Sequence, residues 1–473
     1  MGLKAKIETI CRHLAALFRG LSTIGVGVAA LASGAAAAEA ADRPPLEQQV
    51  DAYLQPLLRT NNFSGVILVG VGDRIVLHKA YGQASIEHQV PNRPDTRFQI
   101  ASVSKPFTAA AILRLAEQGR LDLRAPLGAI LPGYPNGDRL TIHHLLTHTS
   151  GIPNINDLPD YEEFQRRPHS PAELVAHFRN MPLEFEPGSR YSYSNSNYNL
   201  LALIVERASG TDFGSFLARA VFEPLGLRET GHHGSAAQII PNIATGYAPA
   251  GVTQLERATY VDWSVKTGNG SLSSTAADLH RFIRGVHGGR LLSPASRSAA
   301  FTAHMPNVGY GWFLSEANGR AIHHINGRSP GWSAQADYYV GEEVTVIVLS
   351  NAYISVATDV ARAVGALYFG GEPEPLPALR AEPLDQQAAA ALSGDYQFGP
   401  DYYVPNALMT IRSNGGYLEA TTGAYGPFGF IPIGPTRFLI RSFWLPAEFT
   451  LGADGRATEL VIDGRRGRRL ADR

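Results

Sequence analysis

Thiols are all but missing from this 473-residue chain, whose one cysteine is Cys11. Cys11 lies in an N-terminal stretch that reads as removable, so the mature protein is expected to have no disulfide and no cysteine metal ligand. Its stability must then come from packing. Lysine is nearly as scarce. Beyond Lys4 and Lys6 only Lys79, Lys105 and Lys266 occur, and arginine carries almost all the basic charge. Charged residues make up 18% of the chain and the net charge is -1, with no basic block long enough to follow a phosphate backbone. Nucleic acid is therefore not an expected partner. What is plentiful is apolar side chain, at 44%, enough for a large core divided between two domains.

Residues 1–41 read as a signal peptide. Lys4, Lys6, Arg12 and Arg19 precede the apolar run Leu21 to Ala38, and Ala38-Glu-Ala40 offers small residues for cleavage. The run is rich in alanine and glycine and weakly hydrophobic for a permanent span. The expectation is a secreted or periplasmic protein with no stable membrane span after cleavage.

One of the few lysines lies three residues after a serine. Ser102-Val-Ser-Lys105 stands at what reads as a helix start, because Phe107, Ala111, Leu113 and Leu115 follow at near-helical intervals. Residues i and i+3 share a helix face, so the Lys105 amine would hang beside the Ser102 hydroxyl. A serine hydroxyl is a poor nucleophile without a base, and a lysine serves as one only where desolvation or a second cation lowers its pKa. The helix N-terminus adds positive potential where negative charge develops during attack. The plainer alternative makes Ser102 a helix cap and Lys105 a solvated side chain.

Elsewhere, Glu47 to Leu58 suggests a first helix, and Gly65–Val71 and Arg74–His78 read as a hairpin turning at Gly72-Asp73. In Thr141-Ile-His-His-Leu-Leu-Thr-His-Thr-Ser-Gly-Ile-Pro153, His144 and His148 are four apart, a spacing that suits zinc. Leu145 stands where a zinc-protease helix needs glutamate and no thiol follows, so a short helix and turn are expected, with no metal or other cofactor. Further on, Tyr193-Ser-Asn195 precedes a buried helix starting near Ser196. The Tyr193 phenol could relay the serine's proton if cations lowered its pKa, and the Asn195 amide offers donors and an acceptor to a substrate carbonyl or amide.

Together four blocks resemble the serine β-lactamase superfamily, in the branch of class C β-lactamases, D-alanyl-D-alanine peptidases and related esterases. They are Phe98-Gln-Ile-Ala-Ser102-Val-Ser-Lys105, Thr141-Ile-His-His-Leu-Leu-Thr-His-Thr-Ser-Gly151, Pro187-Gly-Ser-Arg-Tyr-Ser-Tyr193-Ser-Asn195 and Ser274-Thr-Ala-Ala-Asp278-Leu-His-Arg-Phe282. The resemblance spans roughly Val50 to Leu367. It implies an α+β fold, with an antiparallel sheet flanked by helices, an all-helical region and the site between them. It also implies that Ser102 is acylated, that Lys105 and Tyr193 share acid-base duty, and that Asn195 binds substrate.

The family's third motif is a strand carrying Lys-Thr-Gly or His-x-Gly. Counting back from Pro330-Gly-Trp332 makes Gly327 the motif glycine and puts Ile325 at the basic position; a strand bulge would bring His324 there instead. A backbone N–H near Gly327 or Arg328 would be the second oxyanion donor. Because the motif's base holds a substrate carboxylate in relatives, its loss favours an ester or amide with a smaller or uncharged acyl group, unless Arg328 restores anion binding. A literal Lys266-Thr-Gly268 is followed by a loop and helix rather than by a closing strand. It is read as lying outside the motif, with its loop bordering the site.

Residues 42–370 thus read as the hydrolase domain and 371–385 as a proline-rich linker. Short strands at Leu392–Phe398, Ala407–Arg412, Tyr417–Thr421, Phe428–Ile433, Arg437–Ile440, Glu448–Leu451 and Glu459–Ile462 place a small β-barrel at 386–473, similar to the lipocalin-like domains appended to hydrolases of this family. Arg465-Arg-Gly-Arg-Arg469 reads as a solvated turn. The functional expectation is a serine hydrolase acting through an acyl-enzyme on a small-molecule or peptide substrate: an ester, an amide or a D-amino-acid peptide. The alternative is a catalytically weak penicillin-binding-type protein that holds peptidoglycan peptides or a partner. The oligomeric state has no signature in the sequence.

Overall fold

The computed structural model describes residues 43–471 apart from Ala236, Pro306, Ala381 and Ala424. The expected signal peptide, 1–41, with Cys11, lies outside the described residues. Contacts divide the chain into residues 1–49 and 50–473. Of the first unit only residues 43–49 are described, and they open helix α1 (Leu46–Arg59), which buries Val50, Leu54 and Leu57.

The second unit is built on a six-stranded antiparallel sheet. Its strands are β1 (Gly65–Val71), β2 (Arg74–Tyr81), β3 (Phe313–Ala317), β4 (Arg320–Ser329), β5 (Trp332–Tyr339) and β6 (Val344–Ser350), in the order β3-β4-β5-β6-β1-β2. The expected hairpin of β1 and β2 is present, and β1 also pairs with β6. Every residue of β6 and all but the last of β1 are buried. Strands covered on both faces need no polar alternation, which is why both read as unbroken apolar runs.

Between β2 and β3 the chain forms the helical region. Its main helices are α2 (Lys105–Glu117), α3 (Asn195–Ser209) and α4 (Ala276–His287). Ten of the thirteen residues of α2 are buried, so this helix is apolar all round and runs through the core. It packs on α3, and Phe107 stacks on Phe282 of α4 with ring centroids 3.6 Å apart. Helix α4 lies on β1 and β6, and α5 (Ala357–Tyr368) lies on β5 and β6.

After a short helix, Gln386–Leu392, residues 394–469 form a closed antiparallel barrel whose strands follow in sequence order. They are β7 (Gly394–Phe398), β8 (Leu408–Asn414), β9 (Tyr417–Thr422), β10 (Tyr425–Pro432), β11 (Arg437–Ile440), β12 (Leu445–Leu451), β13 (Ala457–Ile462) and β14 (Arg465–Arg469). One expectation is overturned here: Arg465–Arg469 is a strand rather than a solvated turn. It closes the barrel by pairing with β7, Tyr396 opposite Arg469 and Phe398 opposite Gly467. Its arginines lie at partly or fully exposed positions, while Gly467 is buried against the Phe398 ring, so the strand has no inward apolar side chain for a pattern to show.

The barrel is bolted to the sheet-and-helix fold by Arg441, which follows β11 and is fully buried. Its guanidinium donates to five acceptors: Asn62 Oδ1 and the carbonyls of Asn61, Ala250, Gly251 and Gln254. Burial lowers its pKa to about 10, which leaves it charged at neutral pH. Among the described residues no helix is long and apolar enough to cross a membrane.

Candidate active site

Ser102 lies in a 3-10 turn, Ala101–Ser104, that runs straight into α2, so the helix proper begins at Lys105 rather than at the serine. Ala101 holds φ at 46°. Left-handed backbone at a residue with a Cβ costs about 1–3 kcal/mol and is concentrated at functional sites.

The Lys105 amine is 1% exposed and has no carboxylate within ion-pair distance among the described residues. It lies 3.0 Å from Ser102 Oγ and donates to Asn195 Oδ1 at 2.9 Å and to the Asn269 carbonyl at 2.9 Å. Burial first, and the charge of Lys266 second, hold its pKa well below the ordinary lysine value. Tyr193 OH lies 2.9 Å from Ser102 Oγ on the other side. Burial pushes that phenol up, so it is held as neutral O–H rather than phenolate. The condition attached to Tyr193 in the sequence, cations lowering its pKa, is not met.

Helix α3 begins at Asn195, which it sets against Lys105, while Tyr193, two residues ahead of the helix, meets the serine. The Asn195 N–H donates to Asn154 Oδ1 at 2.9 Å and its Nδ2 to Asn156 Oδ1 at 2.7 Å, which aims its oxygen at Lys105. Its amide is therefore engaged at both ends. His148 packs on Tyr193, centroids 4.5 Å apart, and its Nδ1 accepts from the Ser194 N–H at 3.2 Å. Burial and the Lys105 charge lower it to about 3, so it is a neutral spacer. His144 turns away from it toward Gly188.

On the opposite side, a Cβ at Gly327 would fall 2.2 Å from Ile100 O and 3.0 Å from Ser102 N. Only glycine lets β4 come this close to the serine's backbone. Ile325, two residues earlier and on the same face, lines a small recess with Lys105, Tyr193 and Tyr198. The strand carries no bulge here: Ile325 pairs with Ala336 and Gly327 with Ala334 without a break. His324 therefore sits on the other face, opposite Asp337, whose carboxylate pairs with Arg362 of α5 at 3.1 Å. Arg328 also turns from the serine and donates to the Ser442 carbonyl of the barrel at 2.8 Å. The structure thus gathers Ser102, Lys105, Tyr193, Asn195 and Gly327 and leaves His324 and Arg328 outside the cleft.

Lys266 is closer to the chemistry than its place outside the third motif suggested. It is 7% exposed, and its Nζ donates to Tyr161 OH at 2.6 Å, 5.1 Å from that ring's centroid. Its loop borders the site as expected, with Gly268 O accepting from Thr108 Oγ1 at 2.7 Å and Asn269 O from Lys105. Asn154, Asn156 and Asn269 had no signal in the sequence, since each acts through a loop that only the fold brings near.

The profile described as Beta-lactamase matches residues 50–368. Penicillin-binding protein 4* of Bacillus subtilis is 30% identical over 88% of this chain and 98% of its own length, so the similarity continues into the barrel. Among solved structures, a penicillin-binding protein from Bacillus halodurans superposes with a TM-score of 0.59 at 29% identity, over 66% of this chain and 98% of that one. The fold of a D-stereospecific amidohydrolase from Streptomyces sp. matches with a TM-score of 0.60 at 24% identity, over 68% and 98%. With the profile covering most of its length and this relative covered end to end, the chain belongs to the β-lactamase family.

Proposed function

We propose that this chain is a serine hydrolase that cleaves an ester or amide through an acyl-enzyme on Ser102. The observation that carries the reading is the buried, acid-free amine of Lys105 at 3.0 Å from Ser102 Oγ, with Tyr193 OH at 2.9 Å from the same oxygen. With the amine neutral, its two N–H groups serve Asn195 Oδ1 and Asn269 O, and its lone pair is left to accept the Ser102 proton. As Oγ attacks the carbonyl carbon, the proton passes to Lys105. Tyr193, held protonated, gives its own proton to the departing alcohol or amine and is refilled from Lys105. Water then attacks the acyl-enzyme by the reverse route and frees Ser102.

The Ser102 N–H and a backbone N–H of β4 beside Gly327 supply the oxyanion donors, each worth about 2.7–4 kcal/mol in the transition state. Ile325 in place of a cation favours acyl groups without a carboxylate there. The relative named as a penicillin-binding protein supports carbonyl chemistry of this kind. The same missing base also favours the second reading, a protein acylated by penicillins that turns over slowly. In either case the N-terminal segment supports a secreted or periplasmic site of action.

Intact-mass measurement after exposure to penicillin, to p-nitrophenyl esters and to a fluorophosphonate probe tests the assignment. Ester turnover and fluorophosphonate labelling are expected, both abolished in Ser102→Ala. A long-lived penicilloyl adduct without ester turnover would support the second reading, and labelling that persists in Ser102→Ala would reject both.

A further inference from the structure

The stretch from His143 to Thr149 walls one side of a cavity of about 530 Å³, which shares no lining residue with the recess beside Lys105. One guanidinium, Arg124, and three imidazoles, His143, His144 and His304, line it, and among the described residues no carboxylate does. The imidazoles are gathered closely: between ring centroids His143 lies 4.7 Å from His304 and 6.0 Å from His144. Burial first, and the Arg124 charge second, hold all three below the ordinary histidine value, His143 at about 4. They are therefore neutral at pH 7, and each carries one N–H.

Tyr310 fixes where that hydrogen stands on His143. The phenol is buried, lies 2.8 Å from His143 Nδ1 and is held protonated by its burial, so it donates to Nδ1 and leaves the imidazole hydrogen on Nε2. His144 Nδ1 and His304 Nε2 are buried without a hydrogen-bond partner among the described residues, which leaves the other nitrogen of each ring for a ligand. Arg124 is exposed, and among the described residues only its backbone N–H is engaged, by Asp122 Oδ1 at 2.8 Å. A metal ion would suit imidazoles but would meet that fixed positive charge, and among the described residues no three such side chains are arranged to hold one. An oxyanion meets the opposite conditions: a guanidinium fork free to pair with two oxygens, N–H donors beside it and no carboxylate in the wall to repel it. We propose that this cavity binds a phosphate group, free or as a monoester, through Arg124 and the N–H groups of His143 and His304. The site is separate from the serine, so it stands whether or not Ser102 is acylated.

The test is isothermal titration of the full chain with inorganic phosphate and with phenyl phosphate, sodium chloride holding the ionic strength constant so that general screening is the same throughout. Saturable binding of one phosphate per chain is expected. Affinity should fall at least tenfold in Arg124→Met, which removes the charge and strands no acid, and at least threefold in His304→Phe, which keeps a ring to stack on Tyr310. If His304→Phe loses the native near-ultraviolet circular dichroism, Arg124→Met decides alone. Tighter binding of phenyl phosphate would place the anion on a larger molecule and equal binding would make the free ion sufficient; both support the site. Heats no different from those of chloride, or binding that survives in correctly folded Arg124→Met, overturn the proposal. So does uptake of one zinc ion per chain that His304→Phe abolishes, since the imidazoles would then belong to a metal.

Discussion

Lys266 shows what a buried charge does for a neighbour it does not touch. Its ammonium has a hydroxyl and a ring face for company, and it adds to the burial that already disfavours a second cation at Lys105. Lys266→Met should therefore let the Lys105 pKa rise, so that the base is protonated over more of the neutral range. The ascending limb of kcat/KM against pH moves to higher pH, and activity at pH 7 falls on the order of tenfold for every pH unit the limb travels. A pH profile on p-nitrophenyl acetate that superimposes on the native one would refute this. The pair Ser102 and Lys105 was legible in the sequence because three residues of helical turn define their proximity, and Tyr193-Ser-Asn195 because it opens a helix. Lys266 was not, since its influence depends on Tyr161, more than a hundred positions away.

At the scale of elements, β4 was half legible. Pro330-Gly-Trp332 gave the register that puts Gly327 against the serine. Strand parity then sends His324 and Arg328 to the opposite face, and only the unbroken pairing with β5 excludes the bulge that would have rescued His324. The connection between barrel and hydrolase was not legible at all, because Arg441 sits in an ordinary strand-turn stretch and its five acceptors come from two distant loops. Replacing it with leucine leaves those acceptors buried and unpaired. Arg441→Leu should cost about 3–5 kcal/mol, by analogy with the loss of one partner of a buried ionic group. In urea the variant is expected to unfold earlier and to separate barrel unfolding from that of the rest. A single transition at the native midpoint would contradict it.

For the whole molecule, the buried histidines decide how stability responds to acid. Burial, the leading cause in every case, lowers His148 and His287 to about 3 and His143, His232, His233, His280, His323 and His324 to about 4. Once unfolded, each takes up a proton near pH 6.5, about the ordinary imidazole value, so the unfolded state binds more protons below that pH. Stability from these groups is complete above pH 6.5 and is lost as pH falls toward 3–4. Asp337 and Asp359, raised to about 6, work in the opposite direction as they protonate first in the folded state. These eight depressed imidazoles outweigh Asp337, Asp359 and Glu206, which burial also raises, so the urea midpoint should drop steadily from pH 7 to pH 4.5. A flat or rising midpoint over that range would show the histidines to be better solvated than their packing implies.

The ring of β7 to β14 also carries a timing consequence. Because its first strand is hydrogen-bonded to its last, β7 leaves the ribosome with one flank bare and keeps it so until the stretch through Arg469 has been synthesised. Throughout that interval the nascent chain presents a sticky border that any other extended segment can occupy. The stretch Arg465–Arg469, which reads as a solvated turn in the sequence, is the strand that finally shuts it.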